Sequence, residues 1–516
     1  MNDLSDKEDI MRKAIIALLA AVVLMGMLPL HSALAEDYWP TDNWRISTPE
    51  VQGMDSAILA QMYQDIAKSG KDINSITIIR NGYLVNEAYF YPYSKEYRHS
   101  INSGTKSFVS ALAGIAMEEG KIGGMEDAVL SYFPGLNAAN ADARKQEMQI
   151  RHLMNMTTGF DWTIDRNEST NQMLQSADWT EHALGLPMKD EPGAAFNYCN
   201  GAAHILSSII ERATGKRLDV LLDEKMKPLG FRDLYWQTSP EGASTGYSGI
   251  YMYPDDAAKF GYLYLNKGNW NGTQIIPEKW VEESTKLQVA GGWTPLFPGY
   301  GYMWWISRFG GYAALGNGGN YIFVIPELKL VTVFTGGLFS GESMFYPGEL
   351  MEKYVVPSIV SDSPLAENFA SMQALEAEVD AVQNIPVAQA VKLPEMAGMI
   401  SGKTIAVGDS IRYTVVFDEV AGELTYTYND MLSFTAGLDN VYRVMDAANL
   451  FGGLADQNHR AIRAQWLDEK TLRIFSQDLE DGFEEITTVT FEGSVVTMNI
   501  KSNLYYETTM TGTLMD

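Results

Sequence analysis

The sequence predicts an α+β protein: an antiparallel sheet flanked by helices, followed by a small all-β domain. Strand-like runs stand at both ends of a mainly helical region, at 75–91 and 320–335, and a single helix-covered sheet accommodates that order. The composition changes near residue 393, after which short β-like runs dominate. Residues 361–392, rich in Ala, Glu, Ser and Pro, are typical of a helix plus linker between the two regions.

The main domain, expected at 36–360, opens with a helix and a hairpin. Apolar residues in 54–68 recur at helical spacing. The runs 75–80 and 83–91 are β-rich, and Asn81-Gly82 between them readily adopts the positive φ angles of a two-residue turn.

The remainder of this domain is mainly helical and closes with two further strands. Apolar spacing predicts helices at 104–119, 204–215 and 254–268, and the first has so few polar positions that it is expected to be buried on most sides. A short turn around Glu327 joins the two strands within 320–335.

The last region, 393–516, is predicted to form a small β-barrel or sandwich. Short runs rich in β-branched and aromatic residues alternate there with turn residues. The runs that carry this prediction are 411–417, 423–428, 471–476, 485–493 and 495–501.

Composition limits the function classes. The 516 residues suffice for two or three domains, and 46% hydrophobic with 20% charged residues is typical of a globular protein. The formal net charge of −27, with no run of Lys or Arg, argues against nucleic acid and anionic membrane surfaces as partners.

The amino terminus has the pattern of an export signal. A basic start at Arg12 and Lys13 precedes an apolar stretch, 14–30, and the small-residue site Ala33-Leu34-Ala35. We expect a signal peptide at 1–35, cleaved after about Ala35, and a periplasmic or extracellular protein. A membrane anchor is the alternative, but the stretch is short for a span, and no cysteine follows it for lipid attachment.

Cysteine and histidine usage gives no sign of a metal or cofactor. Cys199 is the only cysteine, so neither an intramolecular disulfide nor a thiolate cluster can form. The histidines are scattered without the helical spacing that places two imidazoles on one ion. No cofactor is expected, and the oligomeric state stays open.

The first candidate for chemistry is Ser103-Gly104-Thr105-Lys106, at the start of the buried helix. A spacing of three places the hydroxyl and the amine on one helical face, and the helix amino terminus favours the oxyanion of acyl transfer. Alone, the pattern would fit a serine cap with a solvated lysine better than a catalytic pair. Burying that lysine without a role would be costly, however, which favours a nucleophilic Ser103.

A lysine with an ordinary pKa of about 10.4 is no base at neutral pH, so a partner is needed. Tyr198 and Asn200 lie in a predicted loop before the helix at 204, where a phenol could share proton transfer and an amide could hold the lysine or the substrate. The same Y-x-N spacing recurs at Tyr264-Leu265-Asn266, where Tyr264 is interpreted as a packing residue.

A competing motif, Gly242-Ala243-Ser244-Thr245-Gly246, matches the nucleophile elbow of another hydrolase class. It lacks a preceding strand and a following helix, and only His459 follows as a base. We interpret it as a flexible loop.

Several ordered motifs together resemble the serine β-lactamase-related family of penicillin-recognising hydrolases, in the style of its class C β-lactamase, esterase, peptidase and 6-aminohexanoate-dimer hydrolase members. The resemblance covers roughly 45–355. The matching segments are SGTKSF (103–108), IRHLMNMTTGFDW (150–162), EPGAAFNYCN (191–200), DDAAKFGYLYLNKGNWNG (255–272) and GNGGNYIFVIPELKLVTVFTGG (316–337).

This resemblance implies a β-lactamase/transpeptidase-like fold with the site between sheet and helical subdomain. It implies Ser103 as nucleophile, Lys106 and Tyr198 as the acid/base pair, and Asn200 as a supporting side chain. The family's Lys-Thr-Gly element, or its histidine version, is replaced here by Ala314-Leu315-Gly316. The substrate-side residues would then be Gly316 and Asn317, whose backbone N–H is a candidate second oxyanion donor.

Three functions remain in competition. The first is an exported serine hydrolase that cleaves a small ester, amide or peptide through a Ser103 acyl-enzyme. The second is a β-lactamase or D,D-peptidase-type penicillin-binding protein, which the missing cation disfavours. The third is a catalytically silent binding or sensor module on the same fold. Cys199, Trp162, Trp304 and Trp305 are interpreted as packing residues.

Overall fold

The structure is a computed structural model that describes residues 38–135, 142–164, 167–339, 341–446, 459–504 and 506–515. The signal peptide predicted at 1–35 lies outside these residues. Among the helices of the described ranges, none combines the length and the apolar character that crossing a bilayer requires.

In the described residues, fourteen strands precede the carboxy-terminal domain. In chain order they are β1 (Arg45–Ile46), β2 (Ile73–Arg80), β3 (Tyr83–Tyr89), β4 (His99–Ser100), β5 (Tyr235–Trp236), β6 (Ile250–Met252), β7 (Asn269–Trp270), β8 (Thr273–Gln274), β9 (Val289–Thr294), β10 (Phe297–Tyr300), β11 (Trp305–Ile306), β12 (Tyr312–Gly316), β13 (Asn320–Ile325) and β14 (Leu330–Gly336).

Nine of these strands form the central sheet, in the order β1-β3-β2-β14-β13-β12-β11-β10-β9. Every neighbouring pair is antiparallel except β1 with β3. The predicted hairpin is present: Asn81 and Gly82 have φ angles of 53° and 80°, which connect β2 to β3 in two residues. Chain reversal at this turn places β2 in the middle of the sheet, buried along its whole length.

Thirteen α-helices accompany the strands in the part of the chain that the structure describes. They are α1 (Ser56–Ser69), α2 (Thr105–Glu118), α3 (Ile150–Met154), α4 (Glu168–Leu174), α5 (Trp179–Gly185), α6 (Asn200–Thr214), α7 (Leu218–Met226), α8 (Pro254–Leu265), α9 (Glu278–Ser284), α10 (Tyr346–Leu350), α11 (Val356–Ser358), α12 (Phe369–Gln383) and α13 (Glu395–Ile400). A π-helical segment, Met351–Val355, makes α10 and α11 continuous.

Helix α8 lies directly on the sheet because Gly261 has no side chain. A Cβ at Gly261 would lie 2.6 Å from Val331 Cγ1 and 2.9 Å from Ile322 Cγ2, closer than carbon atoms can approach. The ring of Phe260 from the same helix stacks on Phe108 of α2, with centroids 3.6 Å apart. The sheet therefore positions α8, and α8 positions the helix that follows Ser103.

Helix α2 is buried from Thr105 through Ala116, as its composition predicts. Its polar side chains are bonded to the surrounding backbone: Ser107 Oγ donates to Met303 O at 2.7 Å, and Ser110 Oγ donates to Tyr302 O at 2.8 Å. These bonds satisfy hydroxyls that would otherwise be costly to bury, and they fix the helix rotation.

The segment that connects the two β-rich regions contains α12. This helix packs along α1, where Gln64 Nε2 donates to Glu378 Oε1 at 2.8 Å. Its carboxy-terminal end holds the end of β3, since Tyr91 N–H donates to Val382 O at 2.9 Å. The predicted helical linker is thus packed on the main domain.

Within its described residues the carboxy-terminal domain is a ten-stranded barrel, antiparallel except where a parallel contact closes it. Its strands are β15 (Thr404–Val407), β16 (Ile411–Asp418), β17 (Glu423–Tyr428), β18 (Leu432–Gly437), β19 (Arg443–Asp446), β20 (His459–Trp466), β21 (Thr471–Asp478), β22 (Glu484–Glu492), β23 (Val495–Ser502) and β24 (Glu507–Met515). Pairing of Gly437 with Arg463, between β18 and β20, closes the barrel.

The barrel contacts the main domain through the β21–β22 and β23–β24 turns. Glu480 O accepts from Ser100 N–H at 2.6 Å, and the Asp481 carboxylate accepts from Tyr251 OH at 2.8 Å. Asn503 Nδ2 donates to Gly337 O at 3.1 Å. Ser100 lies three residues before Ser103, so the barrel holds the strand that leads into the predicted nucleophile.

The predicted fold class is confirmed: an antiparallel sheet with helices, then an all-β barrel. The predicted start of α6 was wrong: this helix begins at Asn200 and not at 204. Cys199 Sγ accepts a hydrogen bond from Ala202 N–H at 3.3 Å and so caps the helix. The side chains preferred at this capping position carry an oxygen instead.

Two buried carboxyls near the barrel contact make stability depend on pH. Burial raises the pKa of Asp72 to about 7, and burial with the neighbouring Asp478 charge raises the pKa of Asp481 to about 7. A pKa raised on folding means that the folded state binds the proton more tightly. The stability that these two carboxyls contribute is therefore fully present at low pH and is lost as pH rises towards 7.

We expect Asp72→Asn, which cannot ionise, to flatten the fall in Tm between pH 5 and pH 8. The flattening is partial because Asp481 titrates in the same direction. Thermal unfolding followed by circular dichroism at each pH measures it, with Asp409→Asn at an exposed position as the control. Equal pH slopes for wild type and Asp72→Asn would contradict the assignment.

Candidate active site

Ser103 lies in a single 3₁₀ turn, Asn102–Gly104, directly before α2. The turn is bent by Asn102, whose φ of 45° is unusual for a residue with a side chain. Ser103 is half-buried and lines a cleft of about 770 Å³, so its hydroxyl can meet a ligand from solvent. The predicted nucleophile thus occupies a helix amino terminus that faces an open cavity.

The Lys106 side chain is completely enclosed beside that hydroxyl. Its Nζ lies 3.0 Å from Ser103 Oγ, 2.8 Å from Asn200 Oδ1 and 2.8 Å from Tyr247 O. Burial lowers the pKa of Lys106 well below its ordinary value, because an ammonium loses its hydration there. No carboxylate is among these three neighbours to restore the charge, so the site favours the neutral amine.

The three neighbours also determine where the amine's lone pair points. A carbonyl oxygen such as Tyr247 O can only accept a hydrogen bond, and so can the amide oxygen of Asn200. A neutral amine has two N–H groups, which these two oxygens take. In that neutral form the lone pair is left for the remaining neighbour, Ser103 Oγ, 3.0 Å away, so the serine hydroxyl can donate to Lys106. This is the arrangement required for Lys106 to remove the Ser103 proton.

Tyr198 closes the other side of the amine. The Lys106 Nζ lies 4.7 Å from the centre of the Tyr198 ring, and the phenol hydroxyl interacts with Ser103. Burial raises the pKa of Tyr198, and the interaction with Ser103 opposes that rise only in part. The phenol is therefore protonated at neutral pH and suits donation of a proton better than removal of one.

The backbone on both sides of Tyr198 is held by one residue of the 150–162 segment. Asn197 N–H donates to Met156 O at 2.8 Å, and Cys199 N–H donates to Met156 Sδ at 3.4 Å. The Cys199 thiol is fully buried and is not part of the cleft lining, as expected for a packing residue. Tyr198 is thereby fixed between two anchored neighbours.

Asn200 is oriented by a residue that the sequence did not single out. Its Nδ2 donates to Thr170 Oγ1 of α4 at 3.0 Å, which leaves Oδ1 directed at Lys106. Asn200 also lines the cleft. Of the two roles predicted for Asn200, the structure places the amide against the lysine and keeps an edge of the side chain within reach of a ligand.

Tyr247 was also missed, because its contribution is a backbone carbonyl. Glu241 fixes the loop before it by accepting from the Trp179 and Thr180 N–H groups, each at 3.1 Å. His204 Nε2, at 2.9 Å, also bonds Glu241. No residue-type pattern marks a carbonyl acceptor, so only the three-dimensional structure could identify this contact.

The same loop contains the rejected elbow motif. Ser244 is fully buried, and its hydroxyl accepts from Leu218 N–H at 3.1 Å. The loop is not flexible as expected but packed, since Trp236 Nε1 donates to Thr245 O at 2.8 Å. The other packing predictions agree with the structure: Trp162, Trp304, Trp305 and Tyr264 are all buried.

Gly316 and Asn317 lie at the end of β12, next to the Ser103 turn. A Cβ at Gly316 would be 2.1 Å from Ile101 O, so only glycine allows the strand to approach this closely. Asn317 lines the cleft, and its carbonyl accepts from Asn102 Nδ2 at 2.9 Å. Asn102, which the sequence did not identify, therefore joins the nucleophile turn to the sheet.

Ala314 stands at the place of the family's cation, and Leu315, the next residue of that element, lines the cleft. Among the described residues that line it, none is Arg or Lys, and several are apolar or aromatic: Ile164, Tyr198, Trp293, Phe339, Met344 and Leu504. Trp293 stands edge-on to Tyr198 with ring centres 4.6 Å apart. Leu504 belongs to the carboxy-terminal barrel, so both domains contribute to the cleft wall.

A serine at a helix amino terminus, between an antiparallel sheet and a helical subdomain, defines the β-lactamase/transpeptidase-like class of serine hydrolases. The chain belongs to the family described as Beta-lactamase, whose sequence model matches residues 73–343.

Individual relatives are distant. An uncharacterised protein from Alkalihalophilus pseudofirmus is 22% identical over 300 residues, or 50% of this chain and 82% of that protein. Protein flp from Staphylococcus aureus strain MW2 is 26% identical over 195 residues, or 36% of this chain and 38% of flp.

A solved structure shares the fold. It is a protein from Bacillus anthracis provisionally assigned as a 6-aminohexanoate-dimer hydrolase, with a TM-score of 0.51 and 22% identity. The alignment covers 61% of this chain and 87% of that one. At this identity the likeness concerns the fold alone.

The neutral amine leads to a prediction for Lys106→Arg. A guanidinium remains charged and cannot take the Ser103 proton, so kcat/KM for a p-nitrophenyl ester should fall about 10²- to 10⁴-fold. In the wild type, kcat/KM should decline as pH falls through the lowered pKa of Lys106, because protonation occupies the lone pair.

Lys145→Arg is the matched control, because Lys145 is equally buried but donates to Leu184 O at 2.9 Å, outside the cleft lining. A Lys106→Arg enzyme that kept more than a tenth of wild-type kcat/KM would refute the role of Lys106 as base.

Proposed function

We propose that the protein is an exported hydrolase that cleaves small esters or amides through an acyl-enzyme on Ser103. The observation that supports the proposal is the enclosed Lys106 amine, whose Nζ lies 3.0 Å from Ser103 Oγ. The family is one of serine hydrolases, and the contacts of Ser103, Lys106, Tyr198 and Asn200 supply a complete set of groups for that chemistry.

In the proposed acylation step, Ser103 Oγ forms a bond to the substrate carbonyl carbon while its proton passes to Lys106 Nζ. The oxyanion is stabilised at the amino terminus of α2, with the Asn317 N–H as the candidate second donor. The bond to the leaving alcohol or amine then breaks, and the proton held on Lys106 passes to the leaving group, either directly or by relay through the Tyr198 hydroxyl. A water molecule next bonds to the acyl carbon and gives a proton to Lys106. The bond from that carbon to Ser103 Oγ breaks, the proton returns to Ser103, and the acid is released.

The cleft lining favours an uncharged substrate. A carboxylate beside the Ala314-Leu315-Gly316 element would meet the apolar Leu315 side chain and no lysine, and would lose its hydration without compensation. Trp293 and Phe339 offer apolar surface to an acyl or aryl group. Esters and simple amides are therefore expected to be better substrates than β-lactams and D-alanyl peptides, which carry a carboxylate.

A catalytically silent binding module is the remaining alternative. The cost of enclosing Lys106 disfavours it, because a buried amine without a function would be replaced by an apolar side chain at no loss of stability. Export remains a proposal that depends on the apolar segment at 14–30.

Intact-mass measurement with a fluorophosphonate tests the acyl-enzyme. We expect one adduct per chain on the wild type and none on Ser103→Ala, because the reagent reports an activated serine. Ser244→Ala, at the rejected motif, should label like the wild type if it folds. Absence of any adduct on folded wild-type protein would favour the silent module, and faster turnover of a cephalosporin than of p-nitrophenyl esters would reverse the substrate ranking.

Leu504 provides a test of the barrel's part in substrate selection. Leu504→Ala should raise KM for p-nitrophenyl hexanoate about 2- to 10-fold and leave KM for p-nitrophenyl acetate nearly unchanged. The reason is that only the longer acyl chain would reach Leu504, and the substitution removes roughly 1 kcal/mol of apolar contact with that chain. Leu467→Ala, an exposed leucine of the barrel that does not line the cleft, is the control. Equal effects on both esters would show that Leu504 does not contact the acyl chain.

A further inference from the structure

The barrel encloses a second cavity, of about 360 Å³, that is separate from the catalytic cleft. Its walls are the inward side chains of alternate positions on β16, β17, β21 and β22. A small barrel is either filled by its own side chains or has room for one small ligand. The volume lies within the range of small-molecule sites, so the second case applies here.

The cavity exists because only one end of the barrel is filled. At that end Phe417 pairs with Leu424, and Phe491 pairs with Val496, and these side chains pack together. Towards the other end, the inward pairs are Tyr413 with Tyr428 and Thr487 with Ile500. Those side chains are only partly buried, so they leave a space that remains reachable from solvent.

The charged side chains in the lining, Arg460 and Glu485, lie close to each other beside Ser476. Ser476 pairs with Glu485 across β21 and β22, and Arg460 Nη1 donates to Ser476 Oγ at 3.4 Å. Burial raises the pKa of Glu485, and the Arg460 charge opposes that rise. The rest of the lining is aliphatic, aromatic or methyl-bearing. The cavity is therefore mainly apolar, with hydroxyls of tyrosine and Thr487 in its wall and its two charged side chains, Arg460 and Glu485, at one corner.

We propose that the barrel interior binds a slender apolar molecule with an uncharged head group that both donates and accepts hydrogen bonds, such as a long-chain alcohol or primary amide. The apolar chain replaces water in the body of the cavity. At the polar corner, Arg460 supplies donors and Glu485 supplies acceptors. A carboxylate head would be repelled by Glu485, and an ammonium head by Arg460, so charged heads of either sign are disfavoured.

Fluorescence of N-phenyl-1-naphthylamine, titrated into full-length Ser103→Ala protein, tests this site. That variant prevents turnover, so the result is independent of the proposed hydrolase activity. We expect saturable enhancement for the parent. Val489→Trp, which places an indole in the cavity, should weaken binding at least 10-fold. Val416→Trp makes the same change on an outward, exposed residue of β16 and should bind like the parent.

A Trp293→Ala change removes apolar surface from the catalytic cleft and should leave probe binding unaltered. Displacement then compares dodecan-1-ol, dodecanamide, dodecanoate and dodecylamine. The alcohol and amide should displace the probe at concentrations at least 10-fold lower than the two ions.

Absence of saturable binding, or equal binding by Val489→Trp and the parent, would overturn the proposal. Loss of binding on Trp293→Ala would place the probe in the catalytic cleft and also refute the barrel site. Equal displacement by dodecanoate would refute the neutral head group. If Val489→Trp fails to fold by circular dichroism, Met510→Trp, at another point of the lining, takes its place.

Discussion

Enclosure of the Lys106 amine is the constraint on which the rest of the site depends. Transfer of an ammonium from water into a protein interior costs several kcal/mol even after relaxation, and no carboxylate is among the three groups that contact Nζ. The amine is tolerated because two oxygens take its N–H groups and because neutrality removes the charge penalty. A proton acceptor beside Ser103 must also be an uncharged amine. Burial of Lys106 therefore explains both why the neutral form is favoured and why that form suits the chemistry.

Holding the amine in this state requires contributions from distant parts of the chain. The carbonyl of Tyr247 depends on the loop that Glu241 fixes, and the Asn200 oxygen depends on Thr170. Asn102 joins the serine turn to β12 through the Asn317 carbonyl. Each partner is itself bonded, so a small displacement of one element would misplace an atom in contact with the serine or the amine.

The sequence predicted well those features that depend on local patterns. The β2–β3 hairpin follows from Asn81-Gly82, and the buried helix after Ser103 follows from its apolar composition. The sequence missed contacts that depend on backbone atoms or on long-range pairing, such as the Tyr247 carbonyl. It also missed the start of α6, because a cysteine thiol caps that helix where an oxygen-bearing residue is usual.

The barrel was predicted as a separate β-rich region, but its relation to the cleft required the structure. Its two connecting turns lie on the main domain: one bonds Ser100, three residues before the nucleophile, and the other carries Leu504 into the cleft wall. Asn503, next to Leu504, bonds both Gly337 and Gly482, at 3.1 and 2.8 Å, so the main domain and the first turn fix the second. Because one turn holds the approach to Ser103 and the other shapes the wall that an acyl group would meet, the barrel belongs to the proposed active site as well as enclosing a cavity of its own.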